Sequence, residues 1–283
     1  MSFIKHAGKF TRDLWPAELP RIAQDTVVMK KPAEEDVMPE DVGGVLQWVY
    51  VTPDETTAGA FKKYLVLYSS VPPPGCQVAI RVQGFVDHAD LSLYRNWKHT
   101  KTDAPCAVQS LTLSDGGHAE AFAPQSTALA CIRNAVWALL RSDRTAKPNP
   151  KKIYLQRKVF TKVNRINSLA SVLGPRDDPL GEASKIKEWW VVTSKLKACT
   201  EKGSKLYLCN PLEIRRGDYV DVTVIVDVGT YPSPTGREIF VNLSIERVIL
   251  LKPGASVKMA RARQAPATHT AAVPTKQDLL IAG

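Results

Sequence analysis

Apolar and polar residues alternate without a fault from Asp218 to Val228. Val220, Val222, Val224, Val226 and Val228 share one side of a period-two ribbon, and Tyr219, Asp221, Thr223, Ile225 and Asp227 share the other. The run Glu238–Leu251 answers it with Ile239, Val241, Leu243 and Ile245 on one face. Its phase then slips at Glu246-Arg247, and Val248 and Leu250 carry the pattern on. A slip of one residue in a long strand is the mark of a β-bulge, which bends a sheet toward closure. Three further runs, Lys152–Val163, Glu188–Ala198 and Ser204–Cys209, predict strands in the same half of the chain. A short helix is expected over Arg165–Leu173, ended by Gly174-Pro175.

The first half predicts strands at Val45–Thr52, Phe61–Ser69, Gln77–Val86 and Ala107–Leu113. Val71-Pro-Pro-Pro-Gly75 must connect two of them, and Ser114-Asp-Gly-Gly117 is a strong turn signal. One long helix stands out at Thr127–Arg141, where Leu129, Ile132, Val136, Leu139 and Leu140 recur at helical spacing behind a Ser126 cap.

These elements predict a mainly β protein. Five strands in about a hundred residues, one of them bulged, fit a small OB-like or Greek-key barrel in the C-terminal half. A β-rich N-terminal domain with one helix would precede it. The strand content of both halves also permits one continuous β-sandwich or jelly roll. The expected division is an irregular acidic lead-in (1–44), a β-rich domain (45–147) and a basic barrel-like domain (150–252). A flexible basic tail (253–283) would follow. The break falls at Lys147-Pro-Asn-Pro150.

Charge sharpens this division. The 283-residue chain carries a formal net charge of +10. From Arg144 to Arg216 there are 17 Lys or Arg against 6 Asp or Glu, whereas the remainder holds 21 against 22. An excess confined to one region is the footprint of a phosphate-binding surface.

Other chemistries find little support. The five cysteines (76, 106, 131, 199 and 209) are odd in number and contain no C-x-x-C, so neither a disulfide framework nor a structural zinc is expected. No G-x-S-x-G, G-x-x-x-x-G-K-[ST] or H-E-x-x-H occurs. Asp221 and Asp227 share a strand face but stand roughly 20 Å apart, too far to hold one metal. Asp87-His88 with Asp90 reads as a turn as readily as an acid–base site. Neither cofactor nor metal is therefore expected. The N-terminus lacks a signal-like apolar stretch and no run is long enough for a membrane-spanning helix, so an intracellular protein without a membrane partner is expected.

The most specific signal lies in Lys152–Val163. Ile153, Leu155, Val159 and Val163 form its apolar face; Lys152, Tyr154, Gln156, Lys158, Phe160 and Lys162 form the other. Cations meet phosphates and flat rings meet unstacked bases, the combination that single-strand binders use. The opposite possibility is an outer strand whose aromatics are covered by another element. Binding is preferred because Tyr and Phe on a lysine-rich face otherwise waste apolar area. Trp189, Lys195 and Lys197 share a face of the next run, and Lys202 and Lys205 flank a hairpin tip. Tyr231 and Arg237 belong to Gly229–Gly236, which reads as a long barrel-rim loop. Together these residues predict a non-enzymatic protein that binds single-stranded RNA or DNA, with self-association compatible. The rival is a viral-type structural protein, coat or movement, whose β-sandwich carries a genome-binding basic surface in the virion.

Overall fold

The Val-rich ribbon of residues 218–228 does lie at the centre of the molecule, and the strands around it close on themselves. The computed structural model describes residues 2–19, 37–55, 62–69, 75–163, 170–202, 205–234 and 236–257. In chain order its elements begin with β1 (Phe3–His6), β2 (Lys9–Phe10), β3 (Val37–Met38), α1 (Val42–Trp48), β4 (Val49–Pro53) and β5 (Lys62–Tyr68). There follow β6 (Ala79–Asp90), β7 (Val108–Ser114), α2 (Ala119–Leu139), β8 (Lys152–Lys158), β9 (Thr161–Lys162) and α3 (Glu182–Lys185). The last are β10 (Trp190–Val191), β11 (Lys197–Lys202), β12 (Lys205–Leu208), β13 (Tyr219–Ser233) and β14 (Gly236–Lys252).

The protein is mainly β. Strands β6, β7 and β8 form an antiparallel meander, β8 meets β14 in parallel at Gln156 and Ser244, and β14 runs antiparallel to β13. Strand β13 then pairs antiparallel with β6, closing a five-stranded ring. A three-strand meander, a parallel step and an antiparallel return make a Greek-key barrel of the OB type. Its interior is filled by Ile80 and Val82 of β6, Leu111 and Leu113 of β7, Ile153 and Leu155 of β8, and the valines of β13, all buried. The expected bulge is present: Thr223 pairs with Arg247 and Val224 with Ile245, leaving Glu246 as the extra residue.

The closed ring is not confined to the C-terminal half. Strand β7 pairs with β8 from Val108↔Lys158 to Ser114↔Lys152, so the barrel straddles Lys147–Pro150. Nor is the fold a two-layer sandwich, because β13 and β14 close one ring. Pairs of strands extend the sheet on both sides: β5 and β4 beyond β13, β11 and β12 beyond β14.

Local readings shift where a cap or a partner overrides propensity. Val45–Trp48 is helical rather than extended because Asp41 caps α1, its Oδ1 accepting from the Gly44 amide at 2.8 Å. Helix α2 starts eight residues early, at Ala119, and contains Pro124. Burial of Ala121 and Phe122 offsets the bond that Pro124 removes. Gln125 repays the helix's position: its amide accepts from the Gln83 N–H at 2.7 Å and donates to the Gln83 carbonyl at 3.0 Å. That amide serves β6 in place of a strand where β7 has ended. The turn after β7 needs its glycine, since a Cβ on Gly116 (φ 57°) would lie 2.1 Å from the Phe85 ring.

The lead-in is not wholly irregular either. Residues 2–19 pack on the barrel, with Phe3, Ile4, Trp15 and Leu19 buried. Residues 20–36, most of the Arg165–Leu173 helix and the tail beyond Val257 lie outside the described residues; Ala170–Leu173 are not helical. All five cysteines are free, Cys199 buried within β11. No described helix is long and apolar enough to cross a membrane.

Candidate nucleic-acid interface

The meander leaves one wall of the barrel bare. On β8, Ile153 and Leu155 turn inward while Lys152, Tyr154, Gln156 and Lys158 point out. Their cross-strand neighbours on β7 are Ser114, Thr112, Ser110 and Val108, small enough to leave Tyr154 64% exposed. Below it, Lys152 Nζ lies 2.8 Å from Asp87 Oδ2, and Arg216 Nη2 approaches Asp87 Oδ1 at 3.4 Å. The hydrogen bond from Lys152, with the added charge of Arg216, holds the Asp87 carboxyl below its ordinary value; the same bond raises the Lys152 ammonium against the opposing charge of Arg216.

Lys158 is placed differently. Its Nζ sits 4.6 Å from the centre of the Phe240 ring, and Phe240 in turn stacks on Tyr231 at 6.4 Å. Burial pushes the Lys158 ammonium down, opposed by Asp227 and reinforced by Lys63. The Gly229–Gly236 segment is not a loop: β13 and β14 continue as a two-stranded ribbon to Ser233↔Gly236. Tyr231 is 41% exposed on that ribbon and donates through its hydroxyl to Glu238 Oε2 at 2.6 Å. This bond and the neighbouring Arg144 lower the Glu238 carboxyl, while Tyr231 is raised. Arg237 is exposed opposite Pro232.

The expected alternation fails at Phe160. Strand β8 ends at Lys158, and Val159 and Phe160 are both buried, Phe160 at 4% exposure. Phe160 packs in a second core with Trp97, Ala104, Ile186 and Val192, its ring 4.7 Å from that of Trp97. The 91–107 connection between β6 and β7 folds over the end of β8 and covers the ring, a contact that spacing alone does not reveal. Phe160 is thus core, not contact surface.

Beyond this second core the remaining cations and rings divide into two groups. Lys162 is exposed and pairs with Trp190 across β9–β10; Trp189 is 40% exposed with Lys101 Nζ 3.6 Å above its ring. The run expected as one strand from Glu188 to Ala198 is two, β10 and β11, so Trp189 and Lys197 do not share a strand face. Lys195 lies between them, ion-paired with Asp177. Lys197 is exposed opposite Arg247, and Lys202 faces Lys205 at the end of the β11–β12 hairpin. The structure therefore joins Lys152, Tyr154 and Lys158 on one wall with Tyr231 nearby. It sets Lys162 and Trp189 in a second cluster and leaves Lys197, Lys202 and Lys205 on the sheet extension.

Two participants escaped the sequence reading. Phe240 stands between the half-buried Ile239 and the buried Val241, so its outward position was available from period two. Lys101 belongs to the run Trp97-Lys-His-Thr-Lys101, whose mixture of ring and cations was a signal outside any strand. Among the described residues no cluster of three or more His, Cys, Asp or Glu could hold a metal ion.

No protein-family description matches the chain, and no curated protein resembles it in sequence. Among solved structures, the single-stranded DNA-binding protein of bacteriophage Enc34 in complex with single-stranded DNA aligns at 11% identity and a TM-score of 0.30. That alignment covers 72% of this chain and 96% of the other. A C-terminally truncated form of the Enc34 protein aligns at 12% identity and a TM-score of 0.29, over 72% and 95% of the two chains. At these values the likeness does not specify a ligand.

Proposed function

We propose that the protein is a non-enzymatic binder of single-stranded nucleic acid and that the β7–β8 wall of the barrel is its contact surface. Tyr154 carries the reading. It stands 64% exposed in the middle of a barrel wall, between Lys152 and Lys158 on the same strand. An exposed ring flanked by cations offers a base its stacking plane and the neighbouring phosphates their counter-charge. The strand 2–3 face and the first and last hairpin connections are also where OB barrels take up oligonucleotides. Here the β6–β7 connection supplies Lys101, which lies over the Trp189 ring, and the far end of the β13–β14 ribbon supplies Tyr231 and Arg237. An extended strand running from the Trp189 cluster across Tyr154 would meet Lys162, Lys158, Tyr154 and Lys152 in turn.

The test is fluorescence anisotropy with labelled single- and double-stranded DNA and single-stranded RNA at several salt concentrations. A single strand should bind more tightly than the duplex, with log affinity falling by about 0.7 per phosphate neutralised for each decade of salt. Equal affinity for duplex, or binding indifferent to salt, would overturn the assignment.

A further inference from the structure

The sheet has a terminal strand that is neither short of apolar surface nor guarded. Strand β12 ends the sheet order, and every one of its residues is exposed. Leu206 is 36% exposed, Tyr207 49% and Leu208 81%. Its inner edge is paired with β11 from Cys199↔Leu208 to Lys202↔Lys205; no described residue pairs with its outer edge. Edge strands normally carry charge, proline or a bulge that discourages pairing with another chain. Here only Lys205, at one end, is charged.

We propose that β12 is a self-association edge, and that two copies of this chain pair antiparallel through Leu206-Tyr207-Leu208. Two features point to a second copy rather than another partner. The first is symmetry. A two-fold axis normal to a sheet keeps each side chain on its own face, so the centre of an antiparallel self-pair must fall on a residue. Leu-Tyr-Leu is a palindrome about Tyr207. Centred there, Leu206 faces the second copy's Leu208, the two Tyr207 rings face each other, and Lys205 lies opposite the second copy's Cys209. No like charges are opposed.

The second feature is continuity of the apolar row. Leu208 is opposite Cys199, and Cys199 is opposite Ile249 of β14, so the three share one face. Cys199 and Ile249 form a small buried cluster supported by Leu251, and the row ends in the open at Leu208. The second copy's Leu206 would continue it across the axis. On the other face only the two Tyr207 rings would meet across the axis, while Lys205 lies opposite the second copy's Cys209 and Lys202 stays one strand back on β11. The contact is smaller than the roughly 800 Å² per partner of standard interfaces, so dissociation constants on the order of micromolar are expected.

Sedimentation velocity of the full chain, at concentrations spanning the micromolar range, tests the proposal. Reversible dimers are expected, with Leu208→Lys raising the dissociation constant at least about tenfold while the melting temperature is unchanged. A cross-linking pair fixes the register independently of that variant. In a background with Cys76 and Cys106 replaced by Ser, Tyr207→Cys should form a disulfide-linked dimer on oxidation. Leu206→Cys alone should not, because it faces the second copy's Leu208. A monomer at every concentration would overturn the proposal. So would dimers indifferent to Leu208→Lys, growth beyond the dimer, or Leu206→Cys linking as readily as Tyr207→Cys.

Discussion

The two walls of the barrel carry similar residue types and meet opposite fates. The β6–β13 wall presents Arg81, Gln83, Phe85, Tyr219, Asp221 and Thr223 outward, as polar and aromatic a set as the Lys152–Lys158 wall. Yet residues 2–19 cover it. Trp15 lies 5.1 Å from Tyr219 and 6.0 Å from Phe85, and Phe3 sits 5.4 Å from the Arg81 guanidinium. Beneath that cover Arg81 pairs with Asp221 at 3.0 and 3.1 Å, Gln83 donates to Asp221 at 2.9 Å, and Tyr219 donates to Gln83 at 3.1 Å. The polar groups of this wall are spent on one another. Those of the β7–β8 wall, opposite small side chains, keep Tyr154 available to a ligand. Composition alone does not make a binding face; an uncovered one does.

Cutting the network on the covered wall should have the largest effect. Asp221→Ala leaves the Arg81 charge buried without its carboxylate, and a loss of about 3–5 kcal/mol in urea unfolding is expected. If the variant melts normally, that wall is more open to water than its 1–6% exposures imply. Phe160→Ala should behave as a core truncation of comparable size, about 3–5 kcal/mol, with affinity retained in whatever fraction stays folded. Near-native stability accompanied by lost binding would return Phe160 to the contact surface.

Tyr154→Ala should give the opposite pattern. Stability should shift by no more than about 0.5 kcal/mol, while affinity for a single strand should fall by about 1–3 kcal/mol, read from parallel melts and titrations. A destabilised variant with normal affinity would make the two walls equivalent.

The smallest effect concerns Asp87, which holds Lys152 and Arg216 on the edge of the bare wall. Its carboxyl is depressed from the ordinary 3.8, so the stabilising contribution is present at neutral pH and is lost as pH falls through the folded-state value. Asp87→Asn should therefore flatten the acid limb of the stability profile slightly. It should also release Lys152 for phosphate, steepening the salt dependence of binding by about 0.7 for a single added contact. An unchanged slope would show that Lys152 lies outside the nucleic-acid track.

Much of the barrel was legible because strand periodicity is local. The five valines from Val220 to Val228 and the phase slip at Glu246 can be read without knowing any partner, and both appear as read. The charge asymmetry was equally plain. Membership of the ring was not. Nothing near Ala79 or Val108 announces that β6 and β7 complete a barrel with strands more than a hundred residues away, because strand pairing is decided by register between distant segments. The fate of each outward face was likewise hidden. Tyr154 and Phe160 stand on the same side of one alternating run, and the sequence treats them alike. Only the fold separates them, since β8 stops at Lys158 and the connection bearing Trp97 closes over one ring and not the other. Period two decides which side of a strand a residue takes; what lies beyond that side depends on the path of the rest of the chain.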